Sequence, residues 1–200
     1  ELFLRSPIAV AAVGQSEMMN LYSRFFSHYK QTVGQILMTR DIVEFPESHK
    51  NVVNTFETLI GMGIIPIVNE NDAVAVDELE HETKFGDNDQ LSALVAEIIQ
   101  ADLLIMLSDV DGFYDKNPTK YPDATLFHTI NKVDEEEMAL AGERGSTFGT
   151  GGMITKLKAA RHLLAHNQEM VLASAEDPTI LFDILAGIEI GTYFSRESNV

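Results

Sequence analysis

Gly63-Ile-Ile-Pro-Ile-Val68, followed at once by Asn69-Glu70-Asn71-Asp72, is the stretch on which the fold class turns. Residues 63–68 are a short apolar run rich in β-branched side chains, the pattern of a buried strand. A polar cluster begins at its carboxyl end, where ligands bind in open α/β sheets. Gly86-Asp87-Asn88-Asp89 then opens an amphipathic run carrying Leu91, Leu94 and Val95, and Asp87 with Gln90 has the spacing of a capping box. As a plain N-cap, Asp87 needs no ligand, and both readings stand for it. A cap does not account for Asn69 to Asp72, which with Asn88 and Asp89 are expected to converge on one small polar molecule.

Charge narrows the nature of that molecule. Between positions 69 and 89 there are carboxylates at 70, 72, 77, 78, 80, 82, 87 and 89 against the single Lys84. The local field is negative, so a bare phosphate is repelled and an ammonium group attracted. The amides of Asn69, Asn71 and Asn88 can donate to a carboxylate on the same ligand, a combination that describes an amino acid.

Downstream, the spacing predicts a helix over 88–100 and a buried strand over 102–107, ending in Ser108-Asp109-Val110-Asp111-Gly112-Phe113-Tyr114-Asp115. A calcium loop would place an oxygen ligand at 113 and glycine at 114, and Phe113 and Tyr114 exclude it. Asp111-Gly112 is either a plain turn or part of a nucleotide site, with Asp109 accepting from sugar or base groups and Tyr114 offering a stacking face. A helix over 135–141 has acids in its first turn. After it comes Gly149-Thr150-Gly151-Gly152-Met153-Ile154-Thr155-Lys156, whose glycines let backbone N–H groups approach an anion at the amino end of the next helix. Lys156 lies against that helix dipole, so it either has a compensating anion or is a solvated surface lysine. Neither a Walker A loop nor a G-x-G-x-x-G fingerprint is present. His162 and His166 stand four apart on the helix, but no Glu follows His162, so no metal is expected there.

Upstream, a long buried helix is predicted over 8–29, with Val13, Met18, Leu21, Phe25 and Phe26 in the core and the Met18-Met19 pair as core filling rather than a binding patch. A strand over 32–39 and a helix over 47–62 follow. Toward the end of the chain a strand over 168–174 precedes a helix starting at Asp177-Pro178, with proline at its first position. A last short strand covers 188–194. Strands and helices alternate, which argues a parallel sheet covered on both faces.

The sequence of 200 residues, 45% of them apolar, suits one α/β domain or a large part of one. Its formal charge of −17 disfavours nucleic acid or anionic lipid as main partner. With no cysteine, disulfides and thiolate metal sites are excluded, and the cytoplasm is the expected compartment. The apolar runs are too short to span a bilayer, so no membrane partner is expected.

Four motifs in order, at 64–72, 86–89, 107–114 and 149–156, together with Ala-Ala-Val-Gly-Gln-Ser-Glu at 11–17 and Gly-Thr-Tyr-Phe at 191–194, resemble the glutamate-phosphorylating members of the amino acid kinase family. The resemblance implies a three-layer α/β/α sandwich with a mainly parallel central sheet, over 1–194 with a polar tail at 195–200. It implies phosphoryl transfer from ATP, with Mg2+, to the side-chain carboxylate of L-glutamate on the way to proline. By motif match Asp72 and Asn88, with Asn69 beside them, would hold glutamate. Ser108, Asp109, Thr150, Gly151, Gly152, Met153, Ile154, Thr155 and Lys156 would hold ATP. Lys156 and Asp89 would be the catalytic pair, the lysine neutralising the transferring phosphoryl and the aspartate orienting lysines. A homo-oligomer and feedback by proline are expected from the same resemblance. Sibling kinases acting on carbamate, aspartate or UMP, and a silent amino-acid or nucleotide sensor, are the alternatives. A nucleoside monophosphate site needs positive charge that 69–89 does not offer. Ser108 stands where the family pattern has threonine, which keeps the hydroxyl. The family's opening strand with its lysine and glycine-serine turn, and its second strand with a Ser-Ser-Gly-Ala type loop, have no counterpart here. The N-terminal strands are therefore expected to be missing from this sequence, along with one phosphate lysine and one wall of the glutamate pocket, and activity as written is expected to be weak or absent.

Overall fold

The computed structural model describes residues 7–39, 41–73, 88–142 and 152–196. Contacts gather the chain into two compact units, 1–88 and 89–200, each with its own sheet.

The first unit contains α1 (Pro7–Ser27), β1 (Val33–Met38), α2 (Asp41–Glu44), α3 (Pro46–Gly61) and β2 (Ile65–Glu70). β1 and β2 pair in parallel, from Val33 opposite Ile65 to Met38 opposite Glu70, and the chain between them supplies the crossover that parallel strands require. Phe45 is extended and Pro46 follows at the helix start, where proline loses no hydrogen bond. α3 buries Phe56 to 2% exposure. Gly63 turns the chain with φ +70°, and its carbonyl accepts from Gln31 Nε2 at 2.5 Å. β2 starts and ends two residues later than predicted. Asn69 and Glu70 belong to the strand, because Leu37 and Met38 extend the ladder to meet them.

α1 forms where the periodicity places it, but the expectation of a buried helix is corrected. Val10, Val13, Leu21 and Phe25 are 46–57% exposed, and none of its described side chains is fully buried, Met18 and Met19 included. A 3.6-residue period reports that one face is apolar. Whether another element covers that face is a property of packing.

The second unit contains α4 (Asn88–Ile98), β3 (Leu103–Ser108), β4 (Thr129–Ile130), α5 (Glu135–Gly142), α6 (Met153–Ala165), β5 (Glu169–Ser174), α7 (Ile180–Leu185) and β6 (Thr192–Phe194). Its sheet has the order β3-β5-β6-β4, with β3 parallel to β5 and β4 parallel to β6. β6 runs antiparallel to β5, which a mainly parallel sheet admits, and the reversal has a local cause. α7 is only six residues long, and Gly187 (φ +82°) and Gly191 (φ +70°) turn the chain back after it. The last strand is accordingly confined to 192–194, shorter than the predicted 188–194. α7 also starts later than the proline rule suggests: Thr179 is its N-cap and Pro178 lies outside it, because Asp177 Oδ1 accepts from both the N–H and the hydroxyl of Thr179 and holds a turn there. The core joins Leu157, Ala160 and Leu163 of α6 to Met106 of β3, Met170 and Leu172 of β5, and Phe113 and Phe194. β4 and α2 have no counterpart in the sequence reading, being too short to carry a period.

Candidate active site

Asp89 enters the first turn of α4, where the helix dipole favours a carboxylate. Its Oδ2 accepts from Thr155 Oγ1 at 2.7 Å and from Lys156 Nζ at 3.1 Å. Thr155 and Lys156 belong to the first turn of α6, so one carboxylate lies at the positive ends of two helices. The Thr155 hydroxyl also lies 2.7 Å from the Gly152 carbonyl, and its single proton is shared between the two acceptors. Lys156 is 8% exposed. The solvated-lysine reading is thereby removed, and the anion that a cation at this end of a helix calls for is Asp89.

Gly152 is the N-cap of α6, in extended conformation, and makes no side-chain cap hydrogen bond. Among the described residues, a Cβ built on Gly152 meets nothing within 4 Å. A phosphate oxygen fits such a position. Thr150 and Gly151, with Asp87 and the acidic segment 74–87, lie outside the described residues.

β3 ends at Ser108, where its register with β5 pairs it with Ser174 and its carbonyl accepts from Ala175 N at 2.7 Å. The Ser108 hydroxyl donates to Asp109 Oδ1 at 2.9 Å, and Asp109 is exposed. Beyond them the chain turns at Gly112, where a Cβ would come within 2.6 Å of Leu126 Cδ1 and 2.8 Å of Thr192 Oγ1. Tyr114 is held in this turn, its hydroxyl donating to Asp111 Oδ2 at 2.8 Å. That hydrogen bond, then burial and the Asp111 charge, hold the phenol above its usual range.

The first unit has a cleft of about 330 Å3 lined by Gln15, Ser16, Met19, Gln35, Glu70 and Asp72, among others. Asp72 is exposed and Asn71 half-buried, while Asn88 is exposed at the start of α4. The Asn69 side chain reaches α1. Its Nδ2 donates to Gln15 Oε1 at 2.9 Å and its Oδ1 accepts from the Glu70 N–H at 3.0 Å, so the side chain holds Gln15 rather than lining the cleft. Gln15 was not singled out from the sequence. Its Nε2 is buried and has no partner among the described residues. The available signal was the polar Gly14-Gln15-Ser16-Glu17 break within an otherwise apolar helix face.

Among relatives, the chain is 60% identical to the glutamate 5-kinase of Listeria welshimeri over 189 residues, which is 94% of this chain and 68% of that protein. It is 61% identical to the glutamate 5-kinase of Enterococcus faecalis over 188 residues, covering 94% of this chain and 69% of that one. Solved structures share its fold at lower identity. A carbamate kinase from Giardia lamblia bound to AMP-PNP matches with TM-score 0.52 at 24% identity, over 72% of this chain and 49% of that one. A UMP kinase from Ureaplasma parvum matches with TM-score 0.55 at 15% identity, over 85% and 63%. Residues 3–174 match the amino acid kinase family itself. With its parallel-stranded α/β architecture and its lysine–aspartate pair at two helix amino ends, the chain belongs to the amino acid kinase family.

Proposed function

We propose that the chain phosphorylates the side-chain carboxylate of L-glutamate with ATP, giving glutamyl 5-phosphate, the first step toward proline. The observation that carries this reading is the largely buried Lys156–Asp89 pair at the amino end of α6, in a chain 60% identical to a glutamate 5-kinase.

ATP would lie along the end of β3 and the amino end of α6, with Ser108, Asp109 and residues 150–156 around it. Glutamate would occupy the first unit's cleft. There Asp72 would meet its ammonium, and the buried Gln15 Nε2 would donate to one of its oxygens. A buried unpaired donor costs about 1–3 kcal/mol, which a ligand oxygen relieves. Asn88 is a further proposed glutamate contact by motif match, and Asn69 would fix Gln15.

In the reaction a glutamate carboxylate oxygen attacks the γ-phosphorus while the bond to the ADP oxygen breaks. Negative charge spreads over the transferring phosphoryl oxygens, and catalysis is mostly positioning and neutralisation. Lys156 supplies the positive charge. Asp89 holds its ammonium in place and, by taking a second bond from Thr155, ties that orientation to the helix backbone. Mg2+, bound through the phosphates of ATP, would neutralise further charge; Asp89 is occupied by Thr155 and Lys156. The cytoplasm, where ATP is available, is the proposed compartment. Competition by proline for the glutamate cleft and self-association of the chain belong to the same proposal; sedimentation would measure the latter.

ADP release measured with glutamate, aspartate, carbamate and UMP tests the reading. Glutamate is expected to give the highest rate. Release stimulated by UMP and not by glutamate would overturn it, and nucleotide binding with no acceptor-dependent release would point to the sensor.

A further inference from the structure

Glu97, near the end of α4, meets His162 and His166 of α6. Among the described residues these three form the one group of potential metal-ligating side chains, their ligand atoms all within 4.8 Å of one another. His162 Nε2 lies 2.7 Å from Glu97 Oε2, and His166 Nε2 lies 3.5 Å from Glu97 Oε1. The two imidazoles stand four residues apart on one helix face, with ring centroids 4.5 Å apart.

The hydrogen bonding of His166 bears on what the group can hold. Its Nδ1 is 2.8 Å from the His162 carbonyl oxygen. An oxygen acceptor requires that Nδ1 carry the proton, so in the neutral ring the lone pair of Nε2 faces the Glu97 carboxylate. These two electron-rich atoms facing each other accommodate a cation between them, a proton or a metal ion. A ring N–H anchored to a backbone carbonyl is also the outer support that metal-bound histidines usually have. Both imidazoles lie within ion-pair distance of Glu97, and one divalent cation would engage both of them and the carboxylate at once.

From these contacts we infer that Glu97, His162 and His166 form a binding site for a borderline divalent cation, specifically Zn2+, bridging α4 and α6. Two imidazoles and one carboxylate suit zinc and leave a fourth position for water. With zinc–ligand lengths near 2.1 Å, tetrahedral donors stand roughly 3.4 Å apart. The present spacings bracket that value, so modest side-chain rotation brings all three ligands to one point. Room for it exists: the side chains of Glu97, His162 and His166 are 35%, 39% and 43% exposed. Binding through His162 Nε2 needs that nitrogen's lone pair, so the ring carries its proton on Nδ1 in the metal-bound state, and any second proton leaves to solvent. The same two helices carry Asp89 and Lys156 at their amino ends, so the metal ties a second point of the pair that holds the catalytic groups. The site stands on its own geometry and does not depend on which acceptor the enzyme phosphorylates.

Calorimetric titration of the chain with zinc chloride, in buffer free of nucleotide and magnesium, tests the inference. The unmodified chain is expected to take up one equivalent at micromolar concentration and to gain thermal stability. His162→Gln/His166→Gln is expected to lose that equivalent, keeping only background binding by the acidic residues. Glu97→Gln should weaken uptake by at least about tenfold. Millimolar Mg2+ should not compete, because it prefers an all-oxygen octahedral shell. No uptake at micromolar zinc by the unmodified chain would overturn the inference whatever the variants do. Equal uptake by the unmodified chain and a double variant whose circular dichroism matches it would overturn it too.

Discussion

Lys156 Nζ lies 3.1 Å from Asp89 Oδ2, with both side chains largely buried at 11% and 17% exposure. Burying a charge pair is costly unless the remaining hydrogen-bond capacity is also satisfied, and Thr155 supplies part of that satisfaction. A pair kept at such cost at the amino end of a helix has an electrostatic task.

Lys156→Met is expected to lower kcat by about a hundredfold or more while moving the glutamate KM little, since the cation meets charge that develops in the transition state. Steady-state ADP release against glutamate reads both constants. A variant with near-normal kcat would remove Lys156 from the chemistry.

Thr155→Val removes one donor to Asp89 and leaves the ion pair intact. A net loss of about 1 kcal/mol in stability is expected, with a smaller fall in kcat than Lys156→Met causes. Urea denaturation beside the kinetic assay measures both effects.

Asn69→Ala frees Gln15 Oε1 from its partner. The glutamate KM is expected to rise, by roughly tenfold if about 1.4 kcal/mol of orientation is lost, with kcat nearly unchanged. Millimolar proline should raise the apparent glutamate KM of the unmodified chain. Saturation curves unaffected by proline would remove it as a competitor.

Gly191→Ala is expected to destabilise the second unit strongly. The residue has φ +70°, and an added Cβ would lie 2.1 Å from the Leu172 carbonyl oxygen. Backbone strain and overpacking together imply a loss of at least about 2 kcal/mol, seen as a lower urea midpoint.

Tyr193 gives a pH dependence. Burial first, then its hydrogen bond to Glu169 and that carboxylate's charge, push its hydroxyl from 10.0 up to about 12. Because the folded value lies above the unfolded one, the neutral phenol contributes stability that is fully present below pH 10 and is lost as pH rises toward 12. Urea midpoints between these limits should fall more steeply for the unmodified chain than for Tyr193→Phe.

Much of the layout was legible from local pattern alone. The apolar runs and their polar ends located β1, β2, β3 and β5, and the glycine run before Met153 located the start of α6, because period and turn chemistry are local properties of a chain. The family motifs also brought Lys156 and Asp89 onto one short list, although 67 residues separate them. What the sequence left undetermined depends on atoms far apart along the chain. Packing left the apolar face of α1 exposed and turned Asn69 inward to Gln15, and only the positions of both helices in space made Asp89 the anion for Lys156. The same holds for His162 and His166. Four residues apart on one helix they are only two side chains on a face, and the third ligand, Glu97, comes from a helix 65 residues earlier that tertiary folding alone sets beside them.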